Sequence, residues 1–334
     1  MHRLLVTLVV LVAGLAAAAS AAAAVGTTFP AGFQTPTDAS LGTPVIGFGA
    51  AGPVTRTPVI LLHGNNDTPY PTACNPYGDV HDVASYLETR GYRPSELWGL
   101  GYQGDQCDLI ASPTNRSGVA HSTLANVPDL RAFVAAVMRY TGAKRVDIVG
   151  HSLGGTLARE WMRQDHAYPR VRHLVTVDSP HHGIISCSPS PFNYFQLPAL
   201  GGFTPDSAIC REYGAADTPF LQALNRRETR APTRYLALRN ADTSFVYFSA
   251  QDGFFAPVPA QDRTGAAHDF SRSAVLSGKR SRTVDLFGQG AFDPILGTTH
   301  LGILNSPAAW ALIGDFLAGR GQHDDDDHED DDDE

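Results

Sequence analysis

Arg145-Val-Asp-Ile-Val-Gly-His-Ser-Leu-Gly-Gly155 is the stretch on which the reading of this chain turns. Its first half, Arg145–Val149, is rich in β-branched residues and predicts a buried strand. Its second half sets Gly150, Ser152 and Gly154 in a G-x-S-x-G pattern, and Thr156 to Met162 reads as a helix. A strand turning sharply into a helix holds the intervening serine in a strained conformation. Side chains at 150 or 154 would collide with neighbouring backbone. The helix start then offers unpaired N–H groups and a positive dipole end close to Ser152. Ser152 is the candidate nucleophile.

Outward from this bend, short β-rich runs alternate with helical patterns. Further strands are expected at 58–62, 97–102, 171–177, 234–238 and 283–287. Between the first two, Val80, Val83, Ala84 and Leu87 recur at i, i+3, i+4 and i+7, the spacing of a helix with one apolar face. Leu130, Phe133, Val134, Val137 and Met138 repeat it, with Gly142 as the stop. A last helix has Ser306 as cap, Pro307 in its first turn, and Trp310, Ile313 and Leu317 facing inward. This alternation predicts an α/β fold: a mostly parallel central sheet with helices on both faces. Residues 181–230 and 243–281 break the rhythm, being irregular yet carrying aromatics such as Phe192, Phe203, Phe245 and Phe255. They are read either as cap-like loops facing a substrate or as loops that pack their aromatics on the core.

Composition bounds the rest. Residues 1–24 have a basic start, an apolar run and a small-residue end, the pattern of a secretory signal peptide too short for a membrane span. Residues 25–320 suffice for one large domain. The net charge of −9 resides in the tail, because His323 to Glu334 holds ten of the 34 acidic residues and no Lys or Arg. The body then has 24 acids against 25 bases, with no basic patch, which excludes nucleic acid as a partner. Residues 321–334 read as a disordered, self-repelling segment. Four cysteines in an exported chain predict disulfides, with sequence neighbours paired: Cys74 with Cys107 and Cys187 with Cys210. Asn115-Arg-Ser117 matches a glycosylation sequon. No metal or other cofactor is expected.

A serine hydroxyl needs a base, itself oriented by a third group. His300, in Gly297-Thr-Thr-His-Leu-Gly-Ile-Leu304, falls between the last strand and the last helix and is the expected base; His268 competes. Asp242, after the strand at 234–238, is the expected acid. Asp178, directly after the strand at 171–177, is its rival, and Asp252 is a third option. Two N–H donors should steady a developing oxyanion. They are Leu153, beside the nucleophile, and Asn65, in Leu61-Leu-His-Gly-Asn-Asn-Asp67. His63 is read as locking that loop rather than moving a proton.

These motifs, with Asn240-Ala-Asp242 and His300-Leu-Gly-Ile-Leu304, resemble the small bacterial class 2 lipases. The His63-Gly-Asn-Asn-Asp67 loop and the Leu97-Trp-Gly-Leu-Gly-Tyr102 segment are more similar to lipase-like extracellular polyhydroxyalkanoate depolymerases. The resemblance spans roughly residues 57–320 and implies the α/β-hydrolase fold with extended loops. It further implies a triad of Ser152, Asp242 and His300, favouring Asp242 over Asp178, with Asn65 and Leu153 as oxyanion donors. The expected function is a secreted, monomeric serine carboxylic-ester hydrolase that acts on acylglycerols at a lipid surface. A short-chain polyhydroxyalkanoate depolymerase working on a polyester surface is the alternative. A secreted binding protein that keeps the fold without its chemistry is the second alternative.

Overall fold

The computed structural model describes residues 24–112, 118–187, 202–204, 206–215, 217–241, 260–268, 270–286 and 300–320. Expectations about the leader, the sequon at Asn115, Asp242, Asp252, most of the irregular aromatics and the acidic tail lie outside these residues.

The strands are β1 (Ile46–Phe48), β2 (Val59–Leu62), β3 (Leu97–Gly101), β4 (Val146–His151), β5 (Val171–Val177) and β6 (Arg234–Asn240). A short antiparallel hairpin follows, β7 (Ala260–Gln261) with β8 (Ala267–His268), and β9 (Ser281–Leu286) returns to the main sheet. That sheet has the order β1-β3-β2-β4-β5-β6-β9, parallel throughout except for β1. The helices are α1 (Val80–Thr89), α2 (Cys107–Ala111), α3 (Thr123–Thr141), α4 (Leu153–Gln164), α5 (Ala208–Tyr213), α6 (Pro219–Asn225) and α7 (Pro307–Leu317). Among the described residues, no helix is long and apolar enough to cross a membrane.

Val59-Ile-Leu-Leu62 is apolar at every position because both faces of β2 are covered. Alternate residues point to opposite sides. Ile60 and Leu62 pack with Phe133, Leu157 and Trp161 from α3 and α4. Val59 and Leu61 pack with Val83, Leu87, Ile313 and Leu317 from α1 and α7. The expected caps are present: Ser306 Oγ accepts from Ala309 N–H at 3.2 Å, and Gly142 closes α3 at φ +70°. Trp310 is only partly buried on α7. Both expected disulfides form, Cys74–Cys107 and Cys187–Cys210. Within the irregular stretches, Phe203 and Phe270 are buried in the core, which is the packing alternative for that part of them.

β1 was not foreseeable from Ile46-Gly-Phe48, which is too short and too glycine-containing to read as a strand. It exists because β3 offers an edge. A Cβ on Gly47 would meet Gly99 O at 2.1 Å, so only glycine allows that approach.

The chain lays down β3 on one side of β2 and then β4 on the other, so the order reverses between them. The loops after β2 and β4 therefore diverge, opening a crevice at the carboxyl ends of the strands.

Candidate active site

Ser152 follows β4 and precedes α4, with φ +50° and ψ −124°. That conformation costs a non-glycine residue about 1–3 kcal/mol and must be over-determined by its surroundings. Ser152 N–H donates to Val177 O at 2.8 Å, tying the bend to the end of β5. A Cβ at Gly150 would lie 2.6 Å from Gly154 C, and one at Gly154 would lie 2.6 Å from His63 O. The two glycines thus let α4 fold back over its own strand and abut the loop after β2. Gly64 in that loop faces the serine, since a Cβ there would sit 3.0 Å from Ser152 Cβ.

His300 Nδ1 donates to Asp178 Oδ2 at 2.6 Å, and both side chains are buried. The carboxylate fixes the imidazole proton on Nδ1 and leaves Nε2 to take another. Asp178 is the rival of the sequence reading; Asp242, the expected acid, lies outside the described residues. Asp178 directly follows β5, whose last residue, Val177, is in register with His151 of β4, so Ser152 and Asp178 leave neighbouring strands at the same edge. Its N–H donates to Leu238 O at 2.7 Å, and its Oδ1 accepts from Asn240 N–H at 3.0 Å. These bonds to β6 hold the carboxylate at φ +47°, a conformation that Asp tolerates better than most residues. The competitor His268 bonds instead to His182 O at 3.0 Å through Nε2.

His151, inside the motif, was not singled out from the sequence. Its Nε2–H donates to His300 O at 3.0 Å, and the two rings are 4.5 Å apart. Burial, and secondarily the neighbouring His300, hold the His151 imidazolium well below the usual histidine range, so the ring is neutral. It fastens the loop carrying His300 to the residue just before Ser152.

Leu153 opens α4, and Asn65 lies in the loop after β2. That loop is gripped by residues from beyond β3 that sequence reading also missed. Asn65 Oδ1 accepts from Gln103 Nε2 at 3.1 Å and bonds to His121 Nδ1 at 2.8 Å. Gln103 Oε1 accepts from Asn66 N–H at 2.8 Å. Tyr102 OH donates to His63 O at 2.7 Å, while the His63 ring stacks on Tyr102 at 4.2 Å. His63 Nδ1 also lies 2.7 Å from Gly64 O, a locking contact of the kind expected. The signal for Gln103 was available: it directly follows a strand whose carboxyl end lies at the same sheet edge.

Asp67, at the end of this loop, is buried, and one of its oxygens has no hydrogen-bond partner among the described residues. Burial, reinforced by Asp79, pushes its carboxyl up to about 8. A folded-state value raised above the unfolded one destabilises the fold as pH rises. This penalty is absent near pH 4, grows through the interval from 4 to 8, and is complete above it. Asp67→Asn should therefore melt several degrees higher than the parent at pH 8 and almost level with it at pH 4.5, as calorimetry at the two pH values would show.

A family model for lipase (class 2) matches residues 56–253, more than half of the chain. The chain belongs to the class 2 lipase family. Within this lipase the matched region contains Ser152 and Asp178, while His300 lies beyond it. Among solved structures, the mature form of lipase BlEst2 from Bacillus licheniformis shares 18% identity at a TM-score of 0.50, covering 80% of this lipase and 94% of that chain. Lipase B of Aspergillus fumigatus shares 16% identity at a TM-score of 0.47, covering 79% of this lipase and 52% of that chain. The former likeness is one of fold, and the parallel sheet described above is that of an α/β-hydrolase.

Proposed function

We propose that this lipase-family chain is an exported serine carboxylic-ester hydrolase with Ser152, His300 and Asp178 as its triad. The observation that carries the reading is the Asp178–His300 pair, buried at the sheet edge where the strained Ser152 bend also ends. Ser152 Oγ attacks the ester carbonyl carbon and passes its proton to His300 Nε2. The leaving alcohol then takes that proton as the carbon–oxygen bond breaks. Water, activated by the same imidazole, attacks the acyl-serine and releases the acid. Asp178 holds the imidazolium, and the N–H groups of Leu153 and Asn65 donate to the oxyanion. Export is supported by the pairing of all four cysteines and by the leader-like residues 1–24.

Acylglycerols are the favoured substrates. Clearing of tributyrin with no clearing of polyhydroxybutyrate supports that assignment, whereas the reverse pattern moves the enzyme to polyester. A serine-directed fluorophosphonate should label the protein at Ser152. A folded protein that takes no label and clears neither suspension would be a binding protein on this fold.

His151 is expected to act by positioning. His151→Phe removes the donor to His300 O, and a shift of the imidazole by about an ångström should lower kcat 10- to 100-fold. His151→Gln retains a donor and should recover part of the loss, both read with a soluble nitrophenyl ester.

A further inference from the structure

At the opposite edge of the sheet, a cleft of about 420 Å³ is lined by Arg56, Arg90, Arg172 and Arg320, with Tyr92 beside them and, among the described residues, no acidic residue in its wall. Arg172 is the second residue of β5 and Asp178 follows its last, so this cleft lies about 20 Å from the candidate active site.

Charge in the cleft is not balanced. Arg172 is paired with Asp147 at 2.5 Å, and Arg90 with Asp315 at 2.5 Å. Arg320 reaches the same Asp315 oxygen only at 3.9 Å, and its side chain is 71% exposed. Arg56 lies over the Tyr92 ring and donates to Arg90 O at 3.0 Å, with no carboxylate partner among the described residues. Glu96 lies beneath, but its Oε1 accepts from the backbone N–H groups of Thr55 and Arg56 and its Oε2 from that of Arg93. Two guanidiniums are therefore left to face solvent across one concavity, a shape and charge suited to carboxylates.

The sequence carries such carboxylates next door. Only Gly321 and Gln322 separate Arg320, in the cleft wall, from the run His323-Asp-Asp-Asp-Asp-His-Glu-Asp-Asp-Asp-Asp-Glu334. Two linking residues give the run an effective concentration on the order of millimolar at the cleft. At about 3.3 Å per residue it has ample length to cross it.

We propose that the arginine cleft is a carboxylate-binding site whose occupant is the chain's own acidic segment, residues 323–334. The segment satisfies Arg56 and Arg320 and leaves the active-site edge uncovered. The proposal stands independently of the roles assigned to Ser152, His300 and Asp178.

The test uses the full chain and an endoproteinase that cleaves before aspartate, with the synthetic peptide 323–334 as the reference substrate. At about 20 mM salt the segment in the protein should be cut about tenfold more slowly than the peptide, and at about 500 mM salt the two rates should converge. Arg56→Gln, distant in sequence from every cleavage site in the segment 323–334, and Arg56→Gln/Arg320→Gln should lose the protection at low salt while keeping the parent's circular dichroism. Cleavage at the peptide's rate in low salt, or protection unchanged in the double variant, would overturn the proposal. So would a tail cut freely at low salt while inorganic tripolyphosphate raises the melting temperature of the parent but not of the double variant, because the cleft would then serve a diffusible anion.

Discussion

Asp178→Asn is expected to lower kcat for ester hydrolysis about 10⁴-fold, while Asp242→Asn leaves it close to that of the parent. Asp178 Oδ2 accepts the His300 Nδ1 proton at 2.6 Å, and its Oδ1 is already engaged by Asn240 N–H at 3.0 Å. An amide at 178 must keep its oxygen on Asn240 N–H, which turns its NH₂ toward His300. That forces the imidazole proton onto Nε2, where it blocks removal of the serine proton. Asn tolerates the φ of +47° at this position, so folding should survive and the loss should be one of chemistry. The measurement is kcat on a soluble nitrophenyl ester for both variants, with melting temperatures beside it. A large loss at 242 with none at 178 would hand the triad back to Asp242.

Ser152→Ala should be the most severe change, removing about 10⁴- to 10⁶-fold of kcat together with all fluorophosphonate labelling. Ser152→Gly should be equally inactive but more stable. The bend at φ +50° and ψ −124° costs any side chain about 1–3 kcal/mol, and glycine is spared most of that. Alanine keeps the strain and loses only the hydroxyl. The comparison of Gly and Ala at one position therefore separates the energy stored at the bend from the chemistry it serves. Activity retained by either variant would remove Ser152 from the mechanism; equal stability of the two would mean that the bend holds no strain.

Much of the scaffold was legible in sequence because its causes are local. Val171–Val177 matches the expected strand at both ends, and β2, β3, β4, β6 and β9 lie within two residues of their expected bounds. The helices at Val80, Leu130 and Pro307 follow from apolar spacing and caps that a short window contains. The bend at Ser152 was equally readable, since Gly150 and Gly154 answer collisions with backbone only a few residues away or on the adjoining loop. β1 was not, because Ile46-Gly-Phe48 becomes a strand only through pairing with Leu97–Gly101.

Sequence alone therefore determined the chain order of the six parallel strands and of the helices between and after them that carry apolar spacing or caps, the bend at Ser152 and the charge of the tail, all consequences of residues close together in the chain. Tertiary structure decided which carboxylate meets His300, 122 residues from Asp178. It also decided that Gln103 and His121 grip Asn65, that His151 bonds to His300 O, and that four arginines converge on one cleft. Each of those depends on which strands become neighbours and where their loops emerge, and that is settled by burying both faces of the sheet together.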